Sequence, residues 1–119
     1  QMPLQTRNAV DFIVETIMSE PEGAITLCPI GPLTNIALAL VREPRIAGRI
    51  REIVLMGGGY FEQGNTTPAA EFNIYVDPHA ADVVFRSGAP IVILDEATSA
   101  LTAADVDKVV ALRKDRGTV

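Results

Sequence analysis

A chain of 119 residues with 48% hydrophobic and 21% charged residues has ordinary globular composition and room for one domain. Its net charge of −5 argues against a nucleic-acid groove, which needs clustered Lys and Arg to release counterions from phosphates. No apolar run reaches the length of a bilayer span, so neither a nucleic-acid nor a membrane partner is expected.

Basic residues are densest over Arg42–Arg51 and Arg113–Arg116, and both groups read as solvated helix faces. Cys28 is the only cysteine, which rules out an intramolecular disulfide and fits a reducing, cytoplasmic setting. It ends an apolar run and stands far in sequence from the only histidine, His79, so it reads as a buried structural thiol rather than a nucleophile. A first residue Gln1, where an initiator Met would stand, is expected of a fragment or a processed product.

In chain order, Leu4 to Ser19 places Ala9, Val10, Phe12, Ile13, Ile17 and Met18 at helical spacing, and Pro21 and Gly23 end the run. Ala24 to Cys28 is a short β-prone run stopped by Pro29. Pro32 suits the first turn of a helix carrying Leu33, Ile36, Ala37, Leu40 and Val41 and stopping before Pro44. Ile50 to Met56 predicts a second strand, closed by Gly57-Gly58-Gly59 and followed by a polar loop from Tyr60 to Asn73. Asp77-Pro78 reads as an N-cap with proline at the first helical position, opening a helix that Gly88 closes. Pro90 to Leu94 predicts a third strand, and Leu101 to Lys114 a last helix. Apolar strands alternating with helices predict an α/β fold, a mostly parallel sheet flanked by helices on both faces. Its ligands belong beyond the carboxyl ends of the strands, at Pro29-Ile30, Met56-Gly57 and Asp95-Glu96. Three strands are few for such a sheet, which suggests missing sequence.

The loop after the second strand is the most informative stretch. Three glycines let the backbone approach a ligand closely, and Asn65, Glu71 and Asn73 follow on the same loop. A carboxylate that accepts and two amides that donate and accept suit a polyhydroxylated ligand such as a sugar; the plainer reading is a solvated loop whose side chains cap turns.

Ile25-Thr26-Leu27 with Gly31-Pro32-Leu33-Thr34-Asn35-Ile36-Ala37 resembles the inosine-uridine-type nucleoside hydrolases. So do Ile53-Val54-Leu55-Met56-Gly57-Gly58-Gly59, Ala70-Glu71-Phe72-Asn73 with Asp77-Pro78 behind it, and the earlier Ala9-Val10-Asp11-Phe12-Ile13. The resemblance runs over residues 8–95 in the family's order. It implies hydrolysis of the N-glycosidic bond of ribonucleosides to free base and ribose, with bound calcium holding the ribose hydroxyls and the attacking water. It further implies that Met56 packs against the ribose, that Asn65, Glu71 and Asn73 hydrogen-bond its hydroxyls, and that the Ile30 carbonyl is a calcium ligand. The stretch from the glycines to Asn65 is slightly longer than the family pattern.

The family's N-terminal cluster, Asp-x-Asp-x-x-x-Asp-Asp, supplies most calcium ligands and the general base, and nothing like it occurs here. Its C-terminal His-Asp pair would lie beyond Val119. His79 falls where the family has no active-site residue and reads as a surface histidine. The expectation is therefore one α/β domain, residues 1–119, forming the central part of such a hydrolase. No catalytic residue lies within the chain, which alone should be inactive and self-associating, while the family is often oligomeric. After Leu94-Asp95 the family carries Thr-His where this chain has Ala97-Thr98.

Two rival readings exist. Ile91 to Leu101 resembles the Walker B and D-loop run of ABC-type ATPases, but the phosphate loop and the signature motif upstream are missing. A degenerate relative that binds sugar or nucleoside without catalysis, or that serves assembly, is the other.

Overall fold

The structure, a computed structural model, describes residues 6–58 and 65–94. Its first helix, α1, spans Ala9–Ser19. It starts later than its apolar spacing predicts because Asn8, in extended conformation, caps it: the side-chain oxygen accepts from the Asp11 N–H at 3.0 Å. β1 is only Thr26–Leu27. Its hydrogen bonding to the neighbouring strand continues on either side, with Arg51 N–H donating to the Ile25 carbonyl (2.7 Å) and Met56 N–H to the Pro29 carbonyl (3.3 Å). Pro29 has no N–H to return, which ends the strand.

α2 (Thr34–Arg42) stops before Pro44 as expected, and a single further turn, α3 (Ile46–Arg49), leads into β2 (Glu52–Met56). After the polar loop come α4 (Phe72–Val76), α5 (Pro78–Arg86) and β3 (Ile91–Leu94). The loop was expected to run to Asn73, so α4 is a correction. Five residues are too few to show a helical period, and a Glu at the N-cap is not a common start signal. The last predicted helix and the Ile91–Leu101 run beyond Leu94 lie outside the described residues.

All strand pairs are parallel and the sheet order is β1-β2-β3. Both crossovers step in the same direction. Right-handed connections then place α2 and α5 on the same face, where α2 packs against α5 and also against α1. The core forms between them: Ile53 and Leu55 of β2 are fully buried beside Ile17, Leu33, Ala39, Ile46 and Val84, with Leu27 and Ile91 packed at the margin.

The sequence predicts helices on both faces; among the described residues they cover one. Thr26 with Glu52, Val54 with Val92, and Met56 with Leu94 are register partners on the other face. These residues are half-buried or exposed.

Each fully buried aliphatic side chain in this layer contributes about 1.5–3 kcal/mol. Ile53→Ala removes such a side chain from the central strand, where packing on both flanks prevents collapse into the cavity. Denaturant unfolding is expected to show a loss of about 2–5 kcal/mol, whereas a shift below about 0.5 kcal/mol would place Ile53 outside the core.

Candidate functional site

Where β2 ends, the chain passes close beneath α4. Gly57 lies so near it that a Cβ there would come within 2.9 Å of Glu71 Oε2 and 3.6 Å of Asn73 Cβ. Gly58 follows at φ +82°, a left-handed conformation that side chains disfavour. Glycines are thus required here by space and by backbone shape, and together they turn the Gly58 N–H toward α4.

Glu71 receives that N–H. It is 3% exposed and caps α4, its Oε1 accepting from Asn73 N–H at 2.8 Å and its Oε2 from Ile74 N–H at 3.1 Å and Gly58 N–H at 3.0 Å. One carboxylate therefore satisfies two orphan amides at the start of a helix and one at the end of a strand. Asn73, 6% exposed, donates from Nδ2 to the Met56 carbonyl at 3.1 Å and contacts Met56 Sδ at 3.6 Å. Asn65 is exposed; its Oδ1 accepts from Phe72 N–H at 2.8 Å and from the Thr66 hydroxyl at 3.2 Å.

The structure thus brings Met56, Glu71 and Asn73 together at the carboxyl end of the central strand, with Asn65 fastened to the residue next to Glu71. Ile30 sits just past β1, beside Met56 by way of the Pro29 carbonyl, and its side chain is 83% exposed. Chemically the cluster retains acceptor capacity. A carboxylate offers about four lone-pair positions, of which three are engaged here, and Asn73 Oδ1 can accept as well.

Cys28 is a second correction: it is exposed, not buried. Its neighbour Leu27 packs against the core, so by strand alternation Cys28 falls with Thr26 on the side that no described helix covers. His79 is exposed on α5, as its position suggested. Among the described residues no group of three or more His, Cys, Asp or Glu could hold a metal ion. Calcium takes six to eight oxygens, and the Ile30 carbonyl would be one of them. The described residues by themselves do not fit a calcium site.

By sequence Asp77 reads only as an N-cap. It does cap α5, Oδ1 accepting from Ala80 N–H at 3.0 Å, but Oδ2 also accepts from the Thr34 hydroxyl at 2.6 Å, joining positions 43 apart in the chain. The Thr34 hydroxyl, then the Ala80 amide, hold the Asp77 carboxyl below its ordinary titration range, with the charge of His79 adding to the effect. A threonine opening one helix and an aspartate opening another gave no sequence signal that they meet.

A parallel sheet with its polar cluster beyond the strand ends is a ligand-binding architecture. Residues 1–118 match the profile of the inosine-uridine preferring nucleoside hydrolases. The chain belongs to this family. It is 54% identical over 90 residues to the pyrimidine-specific ribonucleoside hydrolase RihB of Escherichia coli, covering 76% of this chain and 28% of that protein. It is 59% identical over 87 residues to an uncharacterized protein of Schizosaccharomyces pombe, covering 73% of this chain and 28% of that one. Among solved structures, the purine-preferring ribonucleoside hydrolase from Gardnerella vaginalis superposes with a TM-score of 0.76 at 41% identity, over 80% of this chain and 30% of that chain. The inosine-uridine preferring nucleoside hydrolase from Bacillus anthracis gives the same TM-score at 28% identity, over 95% of this chain and 39% of that chain. The chain therefore spans well under half the length of each of these relatives.

Two outcomes follow from the geometry. Gly57→Ala should push the Glu71 carboxylate off the Gly58 amide, lowering stability by about 1–3 kcal/mol and accelerating hydrogen exchange at Gly58. Gly48→Ala, where nothing lies within 4 Å of the added carbon, should be neutral or slightly stabilising by contrast. The second concerns pH. Because the folded-state Asp77 carboxyl titrates below its unfolded value, its contribution is present above the ordinary carboxylate range and is lost as pH falls through the lowered value. Denaturation curves at descending pH should show this loss in the wild type, and Asp77→Asn should remove that part of the slope.

Proposed function

We propose that this chain is the ribose-gripping central part, a single α/β unit, of an enzyme that hydrolyses the N-glycosidic bond of ribonucleosides. The observation that carries the reading is the joining of Met56, Glu71 and Asn73 around Gly57 and Gly58 at the ligand end of the central strand. Asn73 Oδ1 and the remaining lone pair of Glu71 accept from ribose hydroxyls, Asn65 borders them, and Met56 supplies an apolar surface for the sugar. As the glycosidic bond breaks, positive charge develops on the ribosyl ring, and acceptors fixed in place beforehand stabilise it more than they stabilise the ground state. Glu71 and Asn73 are held by backbone amides and a carbonyl, so they need no reorganisation at that moment.

The relatives support a sugar-directed role for this segment. It is shared by one hydrolase named for pyrimidine nucleosides and another named for purine nucleosides. Ribose is common to both substrate classes, and the base is not. Calcium, which the family resemblance implies, would polarise the sugar hydroxyls and an attacking water. In this chain the Ile30 carbonyl would face it, and its remaining ligands would come from outside the described residues.

The test is calcium-dependent release of ribose from inosine and uridine by the intact protein carrying this segment. Release supports the reading; none, with calcium present, turns it toward a non-catalytic nucleoside-binding relative. In that enzyme Asn73→Ala should lower turnover by about 10²-fold or more while leaving the fold intact by circular dichroism. Wild-type rates would overturn the ribose assignment. His79→Ala, on the exposed side of α5, should leave turnover unchanged.

A further inference from the structure

α4 carries the cluster and is fastened at both of its ends. At its start, Glu71 accepts from the Gly58 amide and so ties α4 to the end of β2. At its finish, Asp77 closes α4 and opens α5 in one residue, and Oδ2 of that residue takes the Thr34 hydroxyl at 2.6 Å. Thr34 in turn is the first residue of α2, four positions after Ile30. Ile30 has little packing of its own, with its side chain 83% exposed. The segment that carries it is set by its flanks: the Pro29 carbonyl on Met56 N–H before it, and buried Leu33 with the Thr34–Asp77 bond after it.

We infer that Thr34 and Asp77 form a positioning pair for the site proposed above. Their hydrogen bond fixes the Pro29–Ile30 segment at the end of β1 relative to the Glu71 and Asn73 side chains on α4. The inference rests on the ribose reading of that cluster. Neither residue touches the sugar; the pair sets the separation between the two loops that do. A hydroxyl on a carboxylate suits this task, since a charge-assisted bond of this length is short and directional. Without the pair, β1's outgoing loop and α4 would still be covalently intact and separately anchored, but their relative placement would be free to vary by a fraction of an ångström. Displacements of that size lower the rate of a positioned reaction while leaving ground-state binding largely in place.

The experiment compares Thr34→Val, Thr34→Ser and Asp77→Asn in the intact protein carrying this segment. Ribose release is followed per folded molecule, together with hydrogen exchange at the Gly58, Ile74 and Met56 amides. Valine keeps the shape of threonine and removes the hydroxyl. Thr34→Val is expected to lower kcat about tenfold with KM within about twofold, and to speed exchange at all three amides. Thr34→Ser should restore both readouts. Unchanged kcat in Thr34→Val, with an active wild type, overturns the pair while leaving the proposed reaction standing. Exchange that changes only at the first turns of α2 and α5 also overturns it, because the bond would then be a local cap. Should the wild type release no ribose, the proposed reaction fails, and the exchange data still decide whether the bond couples the two loops.

Discussion

One carboxylate organises this molecule's ligand end. Glu71 is buried, accepts from three backbone amides and lies against a glycine that leaves it no spare room. A buried charge with fewer partners would be costly, and buried amides with no acceptor would be costly too. Each solves the other's problem. The short helix α4, the direction of the β2 exit and the setting of Asn73 follow from that arrangement. The glycines at positions 57 and 58 serve its construction as much as any ligand's approach.

The same arrangement ties the proposed sugar-facing residues to the fold. Asn73 reaches back to the Met56 carbonyl, so two residues proposed to face the sugar hold each other in register. The Glu71 carboxylate is satisfied wholly by main chain, and Asn73 Nδ2 chiefly by the Met56 carbonyl. That leaves their geometry insensitive to side-chain rotamers elsewhere and keeps acceptor capacity in reserve.

Much of the fold was legible because proline, glycine and apolar spacing punctuate the chain clearly. Pro29, Pro44, Asp77-Pro78 and Gly88 bound elements close to where periodicity placed them. The strands read as near-continuous apolar runs, and their parallel pairing followed. What was missed has physical reasons. α4 is too short for periodicity and starts on a glutamate. Cys28 looked buried from its apolar neighbours, but by strand alternation it falls with exposed Thr26 on the side that no described helix covers. Coverage of both faces was inferred from apolar strands alternating with helices, while placement of the crossover helices depends on strand order, which that alternation does not encode. For the candidate site, the loop residues were picked out by family resemblance, since by type alone they read as a solvated loop, and their mutual bonding was not legible. Nothing in the sequence announces that Glu71 meets Gly58 or that Thr34 meets Asp77, since such contacts arise only once the sheet has set the spacing.

Strand order bears on how the chain comes to fold. In many doubly wound sheets a later strand must insert beside an early one, across an interval of chain that may not have been synthesised. Among the described strands spatial order and sequence order coincide, so each can dock on the edge left by its predecessor, as α2 does on α1 and α5 on α2. The hydrophobic layer can therefore grow in the direction of translation, with loop closures kept short as residues leave the ribosome. The polar cluster comes late in that sequence, because Glu71 finds its partner only after β2 has been laid down.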